Sequence, residues 1–329
     1  MPPVPQPEVR KQKPRPIAKP RLATPTWEQA VEDFLEAKKG KNLTPATLEN
    51  YRWHLMGPRA RQFVEDERIE TPGDVTAEAL ARFQAELVDR KVSDSLAHAF
   101  HRVFRNFLNF CDSRGYGPER GAFRVEAPKI AQTEPEVFTP SEEKQLLLAA
   151  RSPRDRFLIE FLLRTGVRVT ELCGITLDDL ERVLPDSPGP FDCVKVTGKG
   201  RKDRRIPLDS GGSEFSKSIQ TYIRQIRPEK AASNYLFLSA RRRGRGRSAE
   251  YGALTPRAVQ VLLNRLGKAT GIHVHPHKFR HTFATRSLAA GVSPLVLQRV
   301  LGHTTLAMVN RYIHFRADDL IQAWRARPD

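Results

Sequence analysis

Cysteine is scarce in this 329-residue chain: Cys111, Cys173 and Cys193 are all there is, with no metal-type spacing. So small and odd a number excludes a disulfide-stapled scaffold and a thiolate zinc module, and fits reduced thiols in a cytoplasmic protein. Long apolar runs are also missing, since none approaches the ~18 residues that a membrane span requires. Residues 1–22 hold seven prolines and six basic residues against one acidic, with no apolar core, so they do not read as a secretory leader. Acidic residues are in deficit: 38 Asp+Glu face 55 Lys+Arg, a formal charge of +17. Residues 1–22 account for +5 of this, and the remainder still carries +12 (17 − 5), so a charged tail on an ordinary enzyme does not explain the excess. A surplus of this size favours a polyanionic partner, nucleic acid first.

The length allows two domains, each able to bury a core. Residues 1–22 read as a basic, Pro-rich disordered arm. Residues 23–116 carry four helical patterns. Trp27, Val31, Phe34 and Leu35 share a face behind a Thr26/Gln29 capping box. A second helix starts at Thr44-Pro45 and runs to Pro58; a third uses Leu80, Phe83 and Leu87. The fourth repeats Leu96, Phe100, Val103, Phe104, Phe107, Leu108 and Cys111 at three- and four-residue steps. Such stripes build the core of a small bundle. Residues 117–136 lose periodicity and read as a linker.

A second domain, 137–329, opens at Thr139-Pro140-Ser141-Glu142 with a cap, an N1 proline and a glutamate at N3. A helix through Phe157, Phe161 and Leu162 stops at Gly166. Val194 and Val196 then alternate with Lys195, a Gly-rich turn follows, and Arg205-Ile206-Pro207-Leu208 returns as a hairpin. Helices resume over 214–226 and 256–268, with Arg241–Arg247 between them read as a mobile loop. The fold class is therefore mainly α with one small antiparallel sheet. Residues 195–205 hold six basic side chains and one Asp. Like charges across strands repel, which marks Arg201, Lys202, Arg204 and Arg205 as candidate DNA contacts.

Six residues carry the candidate chemistry. Arg168 stands in Thr165-Gly166-Val167-Arg168-Val169-Thr170-Glu171-Leu172, and Lys199 in Thr197-Gly198-Lys199-Gly200. His277 and Arg280 lie three apart, with His281 one step on, along one face of a helix opening near Pro276. His303 follows Leu301-Gly302, and Tyr312 lies nine residues later. On one continuous helix that spacing would turn Tyr312 about 180° away from His303. A break at Gly302 frees it onto a separate short element. Singly these residues are common: His275 or His281 alone reads as a hydrogen-bonded structural histidine, and Tyr312 alone as a half-buried tyrosine. His273-Val274-His275-Pro276-His277 suggests a metal site. With no Asp, Glu or Cys within fifteen residues and dense positive charge around it, no metal is assigned and no cofactor is expected.

In this order and spacing the boxes resemble the tyrosine recombinase (phage integrase) family. The resemblance covers roughly residues 137–315 for a C-terminal α+β catalytic domain. The preceding bundle is similar to the family's helical, SAM-like core-binding domain. Two positions depart from the usual pattern: Phe279 stands for leucine, and Met308-Val309-Asn310 for a Thr-rich lead to the tyrosine.

The resemblance implies strand exchange on double-stranded DNA through a 3′-phosphotyrosine on Tyr312, without metal or ATP, in a tetramer on specific sites. The chemistry is coherent. Arg168 and Arg280 fork the nonbridging oxygens of a pentavalent dianion, and His303 donates to the same oxygens. A tyrosine of ordinary pKa near ~10 needs a base, for which His277 is the candidate; Lys199 delivers a proton to the leaving 5′-oxygen, and Glu171 orients Arg168. The helix patterned on Ala317, Leu320, Ile321 and Trp324 is expected to dock on a neighbouring copy. A type IB-like topoisomerase and a catalytically silent DNA-binding protein of this fold stay open as alternatives.

Overall fold

The computed structural model describes residues 24–41, 43–129, 135–198, 202–208, 214–228, 233–243, 250–310 and 312, with backbone alone at 240–243, 250 and 310. The basic arm, Lys199, Arg201 and the 317–324 helix lie outside the described residues. Chain packing separates two units, Met1–Gln132 and Thr133–Asp329, each with its own apolar core.

The first unit is helical: α1 (Trp27–Lys39), α2 (Pro45–Met56), α3 (Pro58–Asp66), α4 (Ala77–Asp89) and α5 (Asp94–Arg114). The Thr26/Gln29 capping box forms as the sequence predicts. Trp27 and Phe34 of α1 pack edge-on against Phe107 of α5 with ring centroids 4.9 and 5.6 Å apart. Helix α3 is one more than the sequence reading found. Pro58 does end α2, but its fixed φ also suits the first position of a new helix. Gly57 makes the sharp joint possible, because a Cβ there would lie 2.2 Å from the carbonyl oxygen of Trp53.

The second unit begins with α6 (Pro140–Ala149), α7 (Pro153–Thr165) and the single turn α8 (Val169–Leu172). A three-stranded antiparallel sheet follows: β1 (Leu180–Glu181), β2 (Cys193–Thr197) and β3 (Asp203–Pro207), in the order β1-β2-β3. Helix α9 (Glu214–Thr221) runs on into a π-helical turn, Tyr222–Ile226. A second antiparallel pair, β4 (Leu238–Arg243) and β5 (Glu250–Ala253), takes in Arg241–Arg243, where the run of arginines and glycines predicts a loop. Then come α10 (Pro256–Thr270), α11 (Pro276–Ala289), α12 (Pro294–Leu301) and the short α13 (Ala307–Asn310).

Alternation along the β2–β3 hairpin decides what its basic residues do. The register pairs Val194 with Ile206 and Val196 with Arg204, so Arg204 lies on the core face. Lys195 and Arg205 pair on the other face, where Asp179 sits 3.5 Å from Lys195 and Glu181 2.6 Å from Arg205. Acids from the neighbouring segment thus relieve the repulsion that the sequence alone suggests. Among the described residues no helix is long and apolar enough to cross a membrane.

Candidate active site

The site is assembled around the C-terminal end of α7. Gly166 ends that helix with φ +60°, a left-handed conformation that a glycine adopts without strain. A Cβ at Gly166 would also lie 2.6 Å from the Phe283 ring of α11, so this glycine lets the two helices approach. The chain then turns into Arg168, the N-cap of α8. Glu171 closes the turn by accepting from the Arg168 backbone N–H at 2.8 Å and from its Nη1 at 2.9 Å.

Glu171 is buried and holds a second arginine. Arg204 donates from Nη1 to Glu171 Oε1 at 2.9 Å and from Nη2 to Oε2 at 2.8 Å, and its Nε donates to the Val300 carbonyl at 2.8 Å. Burial alone would raise the Glu171 carboxyl. The hydrogen bonds from Arg204 and from Arg168 outweigh it and hold the group below its ordinary value. Arg204, expected from the basic hairpin to contact DNA, makes these contacts within its own unit. Its guanidinium points inward, pinned to a carboxylate and to the last turn of α12. Lys202 and Arg205 stay exposed at the hairpin, and Arg201 lies outside the described residues. The signal was present in the sequence: counting back by two from the apolar Ile206 places Arg204 inside.

Helix α11 supplies the other cations. Arg280 is 3% exposed and donates Nη1 to the Gly166 carbonyl at 3.0 Å and Nη2 to the Leu301 carbonyl. One side chain thereby ties α7, α11 and α12 together. Burial, then the charge of Arg168, pushes the Arg280 guanidinium down to about 10, which still leaves it charged at neutral pH. Helix α12 ends on Gly302 at φ +66°, and a Cβ there would come within 3.0 Å of Arg204 Cδ. His303 follows with its backbone N–H bonded to the Gln298 carbonyl. The ring of His303 lies 6.3 Å from that of Tyr312, nearly parallel to it.

Tyr312 is 4% exposed, just beyond α13, with its backbone N–H donating to the Val309 carbonyl. Its ring belongs to a small core with Ala284, Leu297, Leu301 and Val309. The break at Gly302 therefore brings Tyr312 and His303 to one place. His281 lies within hydrogen-bond reach of the phenol, its Nδ1 2.9 Å from the phenol oxygen. The sequence reading treated His281 as structural and gave the base role to His277. The His277 and His281 rings stack at 6.2 Å, one turn apart on α11.

Two features beside the site were not expected. Lys278 is buried, with Nζ 3.6 Å from Glu142 and 4.6 Å from the Phe138 ring centroid, and it fastens α11 to α6 and to the segment before it. Glu136 bonds to His273 at 2.9 Å across 137 residues of sequence, so the fold supplies an acid that the fifteen residues on either side of the histidine run do not.

The sequence model of the phage integrase family matches residues 136–318. The chain is similar to the tyrosine recombinase XerC of Oceanobacillus iheyensis, 29% identical and covering 90% of this chain and 95% of that protein. It is also similar to the tyrosine recombinase XerD of Chlamydia pneumoniae, 32% identical over 89% and 92% of the two chains. Among solved structures, a lambda integrase tetramer bound to a Holliday junction shares the fold at a TM-score of 0.66, with 18% identity over 93% of this chain and 80% of that one. A mainly helical unit with a small antiparallel sheet that gathers two arginines, histidines and a buried tyrosine is the catalytic domain of a tyrosine recombinase. The chain belongs to the phage integrase family and is a DNA recombinase.

Proposed function

We propose that this recombinase cleaves and rejoins double-stranded DNA at specific sites through a 3′-phosphotyrosine on Tyr312, with neither metal nor ATP. The observation that carries the reading is the convergence of α7, α8, α11 and α12 on one spot. There Arg168 and Arg280 are held by Glu171, Gly166 and Leu301, with Arg280 in electrostatic reach of the Tyr312 phenol. In the reaction the phenol oxygen attacks phosphorus and the 5′-oxygen leaves. Charge builds on the nonbridging oxygens, where Arg168, Arg280 and His303 neutralise it. Fixed guanidinium groups do this without reorganising at the moment of reaction. The phenol proton passes to His281, in direct contact, with His277 stacked behind it. Lys199 protonates the departing oxygen. Because the covalent intermediate conserves the bond energy, strand exchange needs no external energy source.

The exchange takes place in a tetramer on two DNA sites, as the lambda integrase assembly on a Holliday junction supports. The apolar repeat Ala317, Leu320, Ile321 and Trp324 in the sequence is the part expected to meet the neighbouring copy. Such a reaction serves integration and excision of a mobile element or resolution of replicons.

A nicked suicide substrate tests the mechanism. The wild-type chain accumulates a covalent protein–DNA adduct in the presence of EDTA, and Tyr312→Phe forms none. No adduct, or an adduct that survives in Tyr312→Phe, overturns it. Two differently labelled sites distinguish exchange from relaxation, because a topoisomerase yields no joint product.

A further inference from the structure

The histidine run ahead of α11 takes no part in the chemistry proposed above, yet it acquires an acid partner in the fold. One ligand atom from each of Glu136, His273 and His275 lies within 4.8 Å of the other two. His273 Nδ1 is 2.9 Å from Glu136 Oε2, and the two histidine rings are 5.1 Å apart. We infer that Glu136, His273 and His275 form a binding site for a borderline divalent transition-metal ion, zinc first, which clasps the start of the catalytic unit to the helix that presents His277, Arg280 and His281.

Ligand chemistry selects the metal class. Two imidazoles and one carboxylate suit zinc, copper or nickel, whereas magnesium and calcium favour all-oxygen sites. Three protein ligands leave a fourth position for water. With metal–ligand bonds near ~2.1 Å, tetrahedral ligands stand about 3.4 Å apart, so the observed spread closes by roughly 1.4 Å at most. Side-chain rotation alone can supply that, because the side chains of His273 and Glu136 are 72% and 57% exposed.

The backbone on both sides is already fixed. Phe138, two residues after Glu136, is buried with its ring 4.8 Å from Phe279, and its N–H donates to Thr282 Oγ1 at 2.8 Å. Pro276 opens α11 directly after His275. The ligands therefore stand on anchored segments, and little ordering cost remains for the ion to offset. One cation competes: Lys278 Nζ is 4.0 Å from Glu136 Oε2, but it lies closer to Glu142, at 3.6 Å. The contacts of Glu136 with His273 and Lys278 both fall on Oε2, and a metal would take the place of the first.

The test uses the untagged full chain, stripped with chelator and titrated calorimetrically with Zn2+. One ion binds per chain. His273→Ala/His275→Ala abolishes the binding, and Glu136→Gln weakens it by on the order of 10-fold. Co2+ gives visible bands without thiolate charge transfer, as expected when the buried Cys111, Cys173 and Cys193 take no part. Zn2+ also slows hydrogen exchange in residues 135–138 of the wild type but not of the double variant. Absence of saturable Zn2+ binding, or affinity unchanged in the double variant, overturns the site. Adduct formation in EDTA is the same for wild type and double variant, so failure of the metal site and failure of the recombinase mechanism are read separately.

Discussion

His281 Nδ1 lies 2.9 Å from the phenol oxygen of Tyr312, across a gap of 31 residues in the chain. This contact joins α11 to the element beyond Gly302 and puts an imidazole in reach of the proposed nucleophile's proton. General acid–base groups in such contact typically contribute 10²–10⁴-fold. His281→Ala is expected to slow adduct formation on a suicide substrate by about 10²-fold while leaving DNA affinity nearly unchanged. Single-turnover cleavage and a binding titration on the same variant check this. A wild-type cleavage rate in His281→Ala would return the residue to a structural role.

The Arg168–Glu171–Arg204 cluster makes a stability prediction with a definite sign. Glu171 is buried between two arginines, and removing one member of such a set leaves an uncompensated charge that costs about 3–5 kcal/mol. Glu171→Gln is therefore expected to lower the urea midpoint sharply at neutral pH. Because the folded-state pKa of Glu171 is held below its ordinary 4.5, its contribution is complete above that value and disappears as pH falls through the folded pKa. The gap between wild type and variant should narrow in acid. A gap that is constant from pH 7 down to the acid transition would sink the assignment.

How much of this could be read in the sequence depended on the range of the interaction. Arg168, Arg280, His303 and Tyr312 were legible because local signals frame them. Gly166 and Gly302 sit at helix ends, Pro276 and Pro294 at helix starts, and the left-handed φ at both glycines follows from those positions. The same logic found the capped start of α6. Pro58 misled because one residue both ended α2 and began α3. The inward side of Arg204 is legible in the period of two, which puts it on the same face of β3 as Ile206, although the basic run draws attention to its charge alone. His281 and Glu136 were missed for a plainer reason. Their partners are 31 and 137 residues away, and no local pattern encodes a contact made only when α11 packs against the rest of the unit.

The charge excess predicts a steep salt response. If many of the basic side chains displace counterions from phosphates, log Kobs falls linearly with log salt at a slope of about −0.9 per phosphate neutralised. Arg204 should not contribute, since it is bonded to Glu171, whereas Lys202 and Arg205 are exposed. Lys202→Ala is expected to lower the slope by roughly 1. Electrophoretic mobility shifts across a salt series read this directly, and a wild-type slope near zero would contradict phosphate contact by this surface.

Two glycines with the same backbone demand separate strain from active-site geometry. Gly291 and Gly302 both have left-handed φ, +85° and +66°, so alanine at either costs about 1–2 kcal/mol in backbone strain. Their surroundings differ. A Cβ at Gly291 meets nothing within 4 Å, whereas one at Gly302 lies 3.0 Å from Arg204 Cδ and 3.2 Å from its Nε. At that distance the Arg204 side chain, or the turn carrying His303, must give by a few tenths of an ångström. Gly291→Ala should therefore lower the melting temperature with cleavage preserved at permissive temperature. Gly302→Ala should lower the melting temperature further and cut single-turnover cleavage by about 10-fold or more, as expected when a site built for charge stabilisation is misplaced by a fraction of an ångström. Equal cleavage rates in the two variants would show that the packing of Arg204 beneath Gly302 does not position the site.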